Sequence, residues 1–298
     1  MDELKGKRSK KIVDFKCKKA DSSGFSDKII NDLNLEFPKS YQDAEIMAEI
    51  SKRIKKESGN QLCILPFCHT VEAEAFGACI NLSEGMFGPR AASYAYQSVD
   101  ELLAVPNIDF TQRRISEVLK ACQMLNAQGE AVALEISGFL TILNSLIDVT
   151  KIFKAWRKEP ETIAAIFKML SDNLYRFCEE AKKSGVSIVS YADPAGSVNI
   201  VGPKFTEKMA VEFTYPLLKK ISGLADENFI LHLCPKTSLI FFGLELAERK
   251  NLLLGERIAY NEACLKAIGR EKVIGQACIK DTQCILCRGK VIALNFIQ

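Results

Sequence analysis

The sequence predicts an α/β protein: a (β/α)8 TIM-type barrel in a single domain, with a shortened or recast C-terminal unit. Three observations lead there. Short apolar runs of strand length alternate with amphipathic stretches at helical spacing, which calls for a parallel sheet. About seven or eight such units fit after residue 60, a number that suits a barrel of ~250 residues better than an open sheet. No Pro/Gly/Ser linker, internal repeat or low-complexity stretch divides that region. A doubly wound sheet is the competing architecture, but neither a GxGxxG nor a GxxxxGK[ST] motif supports it.

The elements follow in order. Residues 1–26 are basic and lack apolar periodicity, so they read as a flexible arm preceding a barrel domain at 27–298. From Tyr41 to Lys56, Ala44, Met47, Ile50 and Ile54 recur at helical spacing, and Gly59 supplies the stop. Gln61–Pro66 has strand length, and a helix begins near Val71. A helix over Thr111–Asn126 precedes the strand Glu130–Ser137, and apolar helical sequence follows from Leu140. The helical stretch Val149–Lys183 has Pro160 as an internal boundary. Strands are expected at Val186–Tyr191, Phe229–Cys234, Asn251–Leu254 and Lys272–Gln276. Helices are expected at Lys204–Ser222, Ser238–Lys250 and Tyr260–Ile268. The closing piece, Cys284–Phe296, reads as extended.

Composition narrows the function. Forty Lys and Arg against 37 Asp and Glu leave a net charge of +3, too mild for a dedicated nucleic-acid binder. No apolar run reaches the ~20 residues of a membrane span, and the first residues lack a secretory signal. The expectation is a cytoplasmic protein with neither a nucleic-acid nor a membrane partner. Eleven cysteines in a reducing compartment are then mostly small buried hydrophobes, with a minority free to bind metal. Only two histidines, His69 and His232, are present, so chemistry relying on several histidines is excluded.

In a barrel, residues just beyond the C-terminal strand ends face the active site. That rule selects Cys68, His69, Tyr191, Asp193, His232, Cys234, Glu256 and Cys278. His232 and Cys234 are i and i+2 at a strand end, so imidazole and sulfur point to one side, and both are preferred zinc ligands. Glu256 and Cys278 follow the next two strands and could lean toward the same mouth. Cys284 and Cys287 form a further C-x-x-C pair. Asp193, beside Pro194 and Gly196, is either a helix cap or a site anion. Glu72 and Glu74 open a helix, where negative charge suits the dipole, and one of them should face solvent.

These residues sit in a familiar order. LPFCHTVEAEAFGA from Leu65, FGPR at Phe87–Arg90, SVDELLAVPNID at Ser98–Asp109, SGFLTILNSLID at Ser137–Asp148, KEPE at Lys158–Glu161, SYADPAGSVNIVGPKFTEK at Ser190–Lys208 and FILHLC at Phe229–Cys234 resemble the uroporphyrinogen decarboxylase superfamily. Over roughly residues 40–280 the chain is most similar to its methylcobamide:thiol methyltransferase branch. The resemblance implies methyl transfer from methylcobalamin or a methylated corrinoid protein to a small thiol activated on Zn²⁺. It assigns the metal to His232, Cys234 and a later cysteine. The glycine-rich segment that carries that cysteine in the branch has no counterpart here, so Cys278 is the choice, ahead of Cys284 and then Cys287. Glu256 looks like the acidic residue that completes the metal shell when substrate is absent. Asp193 and Tyr191 would line the substrate side, while Ser137 and Gly138, being small, would leave room for the cofactor, with His69 beside it. Two alternatives stay open: a decarboxylase-like enzyme acting on a tetrapyrrole, and a non-catalytic corrinoid-binding barrel.

Overall fold

The computed structural model describes residues 12–17, 25–82 and 88–297. Most of the expected arm over residues 1–26, and the start of the Phe87–Arg90 motif, lie outside the described residues. Where the arm is described it packs: Ile12 rests on the main core, and Phe25 is buried with its ring 5.2 Å from that of Tyr41.

Helix α1 (Asp27–Asp32) leads to α2 (Ala44–Ser58), which Asp43 caps by accepting a hydrogen bond from the Ile46 amide and Gly59 ends at a φ of 64°. Strand β1 (Leu62–Leu65) and the short α3 (Val71–Ala75) follow, then a hairpin of β2 (Cys79–Asn81) and β3 (Arg90–Ser93). Helices α4 (Val99–Leu103) and α5 (Arg113–Ala127) precede β4 (Ala131–Ser137) and α6 (Phe139–Leu146). Pro160 divides the next helical stretch as expected: α7 (Val149–Lys158) stops and α8 (Pro160–Lys183) starts with proline in its first turn, where the missing N–H costs nothing. Strand β5 (Ile188–Ala192) is followed by α9 (Val198–Val201), α10 (Pro203–Met209) and, after a π-helical turn, α11 (Tyr215–Ser222). The remainder is β6 (Ile230–Leu233), α12 (Pro235–Gly243), β7 (Ala247–Leu253), β8 (Ile258–Ala259), α13 (Tyr260–Ala267), β9 (Val273–Ile274), β10 (Ile285–Leu286) and β11 (Lys290–Phe296).

The fold is of the α/β TIM-barrel type. The main sheet runs β1-β4-β5-β6-β9-β11-β7, and its first five strands are parallel. The closing unit is recast. Strand β11 lies antiparallel to both β9 and β7, and β7 occupies sequence expected to be the end of a helix. Helix α12 stops at Gly243, and Glu245 at a φ of 58° turns the chain into an extended edge strand. Its exposed Glu248, Arg249 and Lys250 deter further strand pairing.

Strand alternation sorts the interior into two layers. Val132, Leu134, Ile136, Val189, Tyr191, Leu231 and Leu233 face the outer helices and build the larger core. Ala133, Ile188, Ile230, Ile274, Val291 and Ala293 face inward, where Tyr260, Ala263, Cys264 and Ala267 of α13 cover them. Above this apolar layer, Glu135 on β4, Ser190 on β5 and His232 on β6 stand in register across three neighbouring strands. A polar row therefore crosses the inner face near the C-terminal strand ends.

Candidate active site at the barrel mouth

A cavity of about 710 Å³ opens at the C-terminal ends of β1, β4 and β5. Its walls are Cys68, His69 and Thr70 after β1, the β3 strand, Thr141 and Ser145 on α6, and Pro194 and Ala195 after β5. Two exposed apolar side chains, Tyr94 and Ile200, stand at its rim. A larger groove of about 840 Å³ lies at the opposite end, by the start of β9. Two of its acids are paired, Asp226 with Lys182 at 2.5 Å and Glu271 with Lys250 at 2.8 Å, and that face of a barrel serves stability.

The turn after β1 is held by Arg114 of α5. This buried guanidinium donates to Thr70 Oγ1 at 2.8 Å and to Cys68 Sγ at 3.4 Å, while its Nε lies 2.5 Å from Glu74. Glu72, the other acid of that segment, is buried and accepts from the Ser137 amide at 2.7 Å and hydroxyl at 3.0 Å. Burial pushes its carboxyl up despite those bonds. Neither acid is the solvated group expected of one of them: α3 is short enough to turn one into the barrel and the other onto Arg114.

Glu135 is the centre of the mouth. It is 5 % exposed, and its Oε1 meets Lys280 Nζ at 2.5 Å and His69 Nε2 at 3.4 Å. Burial alone would raise this carboxyl, but Lys280 and His69 outweigh it and hold the group below the ordinary carboxylate value. Burial likewise works against the Lys280 ammonium, and Glu135 more than compensates. The Cys234 and Cys278 thiols lie within electrostatic reach of Glu135 and of each other. Burial, then that carboxylate, pushes the Cys278 thiol up to about 11, and the Cys234 thiol also stays protonated at neutral pH.

His232 is fully buried beneath this group. Its Nδ1 is 2.8 Å from Ser190 Oγ, and its Nε2 is 3.0 Å from Tyr260 Oη and 3.1 Å from the Ala277 carbonyl oxygen. A carbonyl only accepts, so Nε2 carries the proton, and the Ser190 hydroxyl donates to Nδ1. Burial pushes the imidazole down to about 4, which keeps it neutral.

The structure corrects several sequence expectations. The zinc set does not fit this arrangement. Both ring nitrogens of His232 are committed to protein groups, and no three His, Cys, Asp or Glu side chains among the described residues are grouped to hold a metal ion. Glu256 stands exposed on the loop after β7, making no hydrogen bond or ion pair with His232, Cys234 or Cys278. Cys284 and Cys287 flank β10 instead, with Cys287 exposed. Asp193 is a helix cap, although of α6 and not of its own following turn. It accepts from the Leu140 amide at 3.2 Å and from the Thr141 amide and hydroxyl at 2.9 and 2.6 Å. Tyr191 faces the outer helices, since it shares register with Ile136 and Leu233. Both border only an enclosed space of about 30 Å³, room for a single water rather than a substrate. The room left by Gly138 is filled by the chain itself: a Cβ there would lie 2.3 Å from Asp193 Cβ and 2.5 Å from the Tyr191 hydroxyl. Ser137 is spent on Glu72. Of the expected cofactor-side residues, His69 alone lines the mouth cavity.

Glu135, Ser190, Lys280 and Tyr260 were missed. Glu135 carried a readable signal, a charged residue inside the apolar strand AVALEIS, which is rarely buried without a partner. Lys280 carried none, because its partner is 145 residues away in the chain.

Comparison with known proteins now places the chain. Two curated relatives, both Methylcobamide:CoM methyltransferase MtaA of Methanosarcina barkeri, are 23% identical over 251 residues (83% of this chain, 73% of the relative) and 24% identical over 243 residues (80% and 70%). Methylcobamide:CoM methyltransferase MtbA of Methanosarcina mazei is 23% identical over 211 residues, 68% of this chain and 60% of the relative. Among solved structures, a methyltransferase from Methanosarcina mazei shares the fold with a TM-score of 0.62 at 18% identity, covering 76% of this chain and 69% of that one. Residues 28–276, most of the chain, match the family described as Uroporphyrinogen decarboxylase (URO-D), and this chain belongs to the URO-D family.

Proposed function

We propose that the chain is an enzyme that transfers a methyl group from a methylated corrinoid, free or carried on a partner protein, to a small thiol bound at the barrel mouth. The observation that carries this reading is the convergence of His69, Glu135 and Lys280 beside an open cavity of about 710 Å³, in a chain similar to methylcobamide methyltransferases. A thiol must lose its proton before its sulfur becomes a nucleophile. His69 Nε2 can accept that proton, with Glu135 as counter-ion to the imidazolium. Lys280 offers positive charge to the thiolate that forms. The sulfur then attacks the methyl carbon; the S–C bond forms while the Co–C bond breaks, its electron pair staying on cobalt. Tyr94 and Ile200 offer apolar rim surface to the face of a large donor. Each of these roles falls to the chain's own side chains, since His232 is held by Ser190, Tyr260 and Ala277 and has no lone pair for zinc. Action on a tetrapyrrole polycarboxylate has less support, because the buried Arg114 guanidinium is already matched by Glu74.

The test is methylcobalamin incubated with the protein and a panel of small thiols, followed by its visible spectrum and by thioether product. Protein-dependent demethylation with at least one thiol is expected, and His69→Ala should lower kcat/KM by about 10²–10³-fold. No acceleration with any thiol refutes the reading, whereas binding without turnover identifies a non-catalytic corrinoid-binding barrel.

A further inference from the structure

We infer that Lys280 is the resident cation of this mouth: its ammonium stands where a divalent ion would serve Glu135 and the neighbouring thiols, so the site holds no zinc. Three observations meet here. Lys280 Nζ is 2.5 Å from the buried Glu135 carboxylate, the one anionic group in the polar row. The same closing segment supplies the Ala277 carbonyl that engages His232 Nε2, so the residues that bring the ammonium in also take the imidazole out of metal binding. Both Ala277 and Lys280 lie beyond the family match, which ends at residue 276, so one short segment brings in the cation and the histidine lock together.

The charge balance is complete without an ion. One carboxylate faces one ammonium, and the second partner of Glu135 is His69. A divalent ion entering here would face the ammonium at close range, with no lone pair of His232 on offer. A tethered ammonium and a bound metal are thus mutually exclusive occupants of one place.

The experiment reads metal, not methyl transfer, so its failure is distinguishable from failure of the proposed activity. Full-length protein purified from zinc-supplemented medium is analysed by elemental mass spectrometry and titrated with Co²⁺, whose thiolate charge-transfer absorption reports sulfur ligation. The wild-type chain should carry far less than one zinc and give no such band. Lys280→Met should bind Co²⁺ at least about tenfold more tightly than wild type. Lys280→Arg should behave as wild type. Should Lys280→Met fold poorly, the Glu135→Gln/Lys280→Met double variant removes both charges and should show no gain in affinity. About one zinc per wild-type chain, lost in Cys234→Ser, overturns the inference. So does a folded Lys280→Met variant that binds cobalt no better than wild type.

Discussion

His232 joins three segments distant in the chain: Ser190 on β5, Tyr260 at the start of α13 and Ala277 in the closing segment. A leucine there would leave the Ser190 hydroxyl and the Ala277 carbonyl without their imidazole partner, so His232→Leu should lose about 2–4 kcal/mol, read from the urea midpoint. The same burial makes stability depend on pH with a definite sign. The folded imidazole titrates at about 4 against an ordinary 6.5, so the unfolded chain binds the proton first. Its contribution is whole above pH 6.5 and is lost as pH falls toward 4, about 3 kcal/mol in all. Glu72 and Asp193, raised by burial, act in the opposite sense, and Glu135 acts lower still, so the informative quantity is a difference. Between pH 7 and 4.5, wild type should lose more stability than His232→Asn; equal slopes would show that His232 takes up its proton in the folded state. At this scale the sequence was half legible. The i, i+2 spacing of His232 and Cys234 pointed to the inner face, where the strand register sets His232 beside Ser190. What each side chain does there depends on partners 28 to 45 residues onward, which spacing cannot reveal.

Helix α6 begins with no capping side chain of its own, because Gly138 occupies the N-cap position. Asp193 supplies the cap from beyond β5, and Gly138 is glycine because the Asp193 side chain needs that space. The two positions are therefore coupled. Gly138→Ala should force Asp193 and Tyr191 apart and cost about 1–3 kcal/mol, and Asp193→Ala should cost about 2 kcal/mol. In the double variant the penalties should fall short of their sum, since the added methyl then meets less side chain. Strict additivity in thermal melts would mean that the close approach is absent. Elements were easier to read than their caps. Pro160 splits two helices and Gly59 ends one because those effects are local to the residue. A cap donated from 52 residues away is not. The helix expected over Ser238–Lys250 failed for a similar reason: Ala247–Leu253 is drawn into strand by pairing with β11, a partner some forty residues later.

At the scale of the molecule, alternating strands and helices announced the parallel part of the barrel, because each βα unit is a local pattern that repeats. Closure was not announced, since antiparallel β11 inserts between β9 and β7 and the order β9-β11-β7 leaves no periodic trace in the chain. This closing segment does two jobs. Val291 and Ala293 complete the inner apolar layer and Ile279 is buried against it, while Ala277 and Lys280 build the polar row above. Fold and mouth should consequently fail together. Removing residues 277–298 strips a strand from inside the sheet, exposing the flank of β9 and leaving β7 without its partner. The truncated chain should show no cooperative thermal transition by circular dichroism and should bind a hydrophobic dye. A milder lesion separates the jobs. Ile279→Ala should cost about 2–4 kcal/mol by cavity formation, whereas Lys280→Arg should leave the melting temperature within a few degrees because a cation still meets Glu135. If the truncated chain melted cooperatively near the full-length temperature, the parallel strands would be a self-sufficient core, and the closing segment would serve the mouth alone.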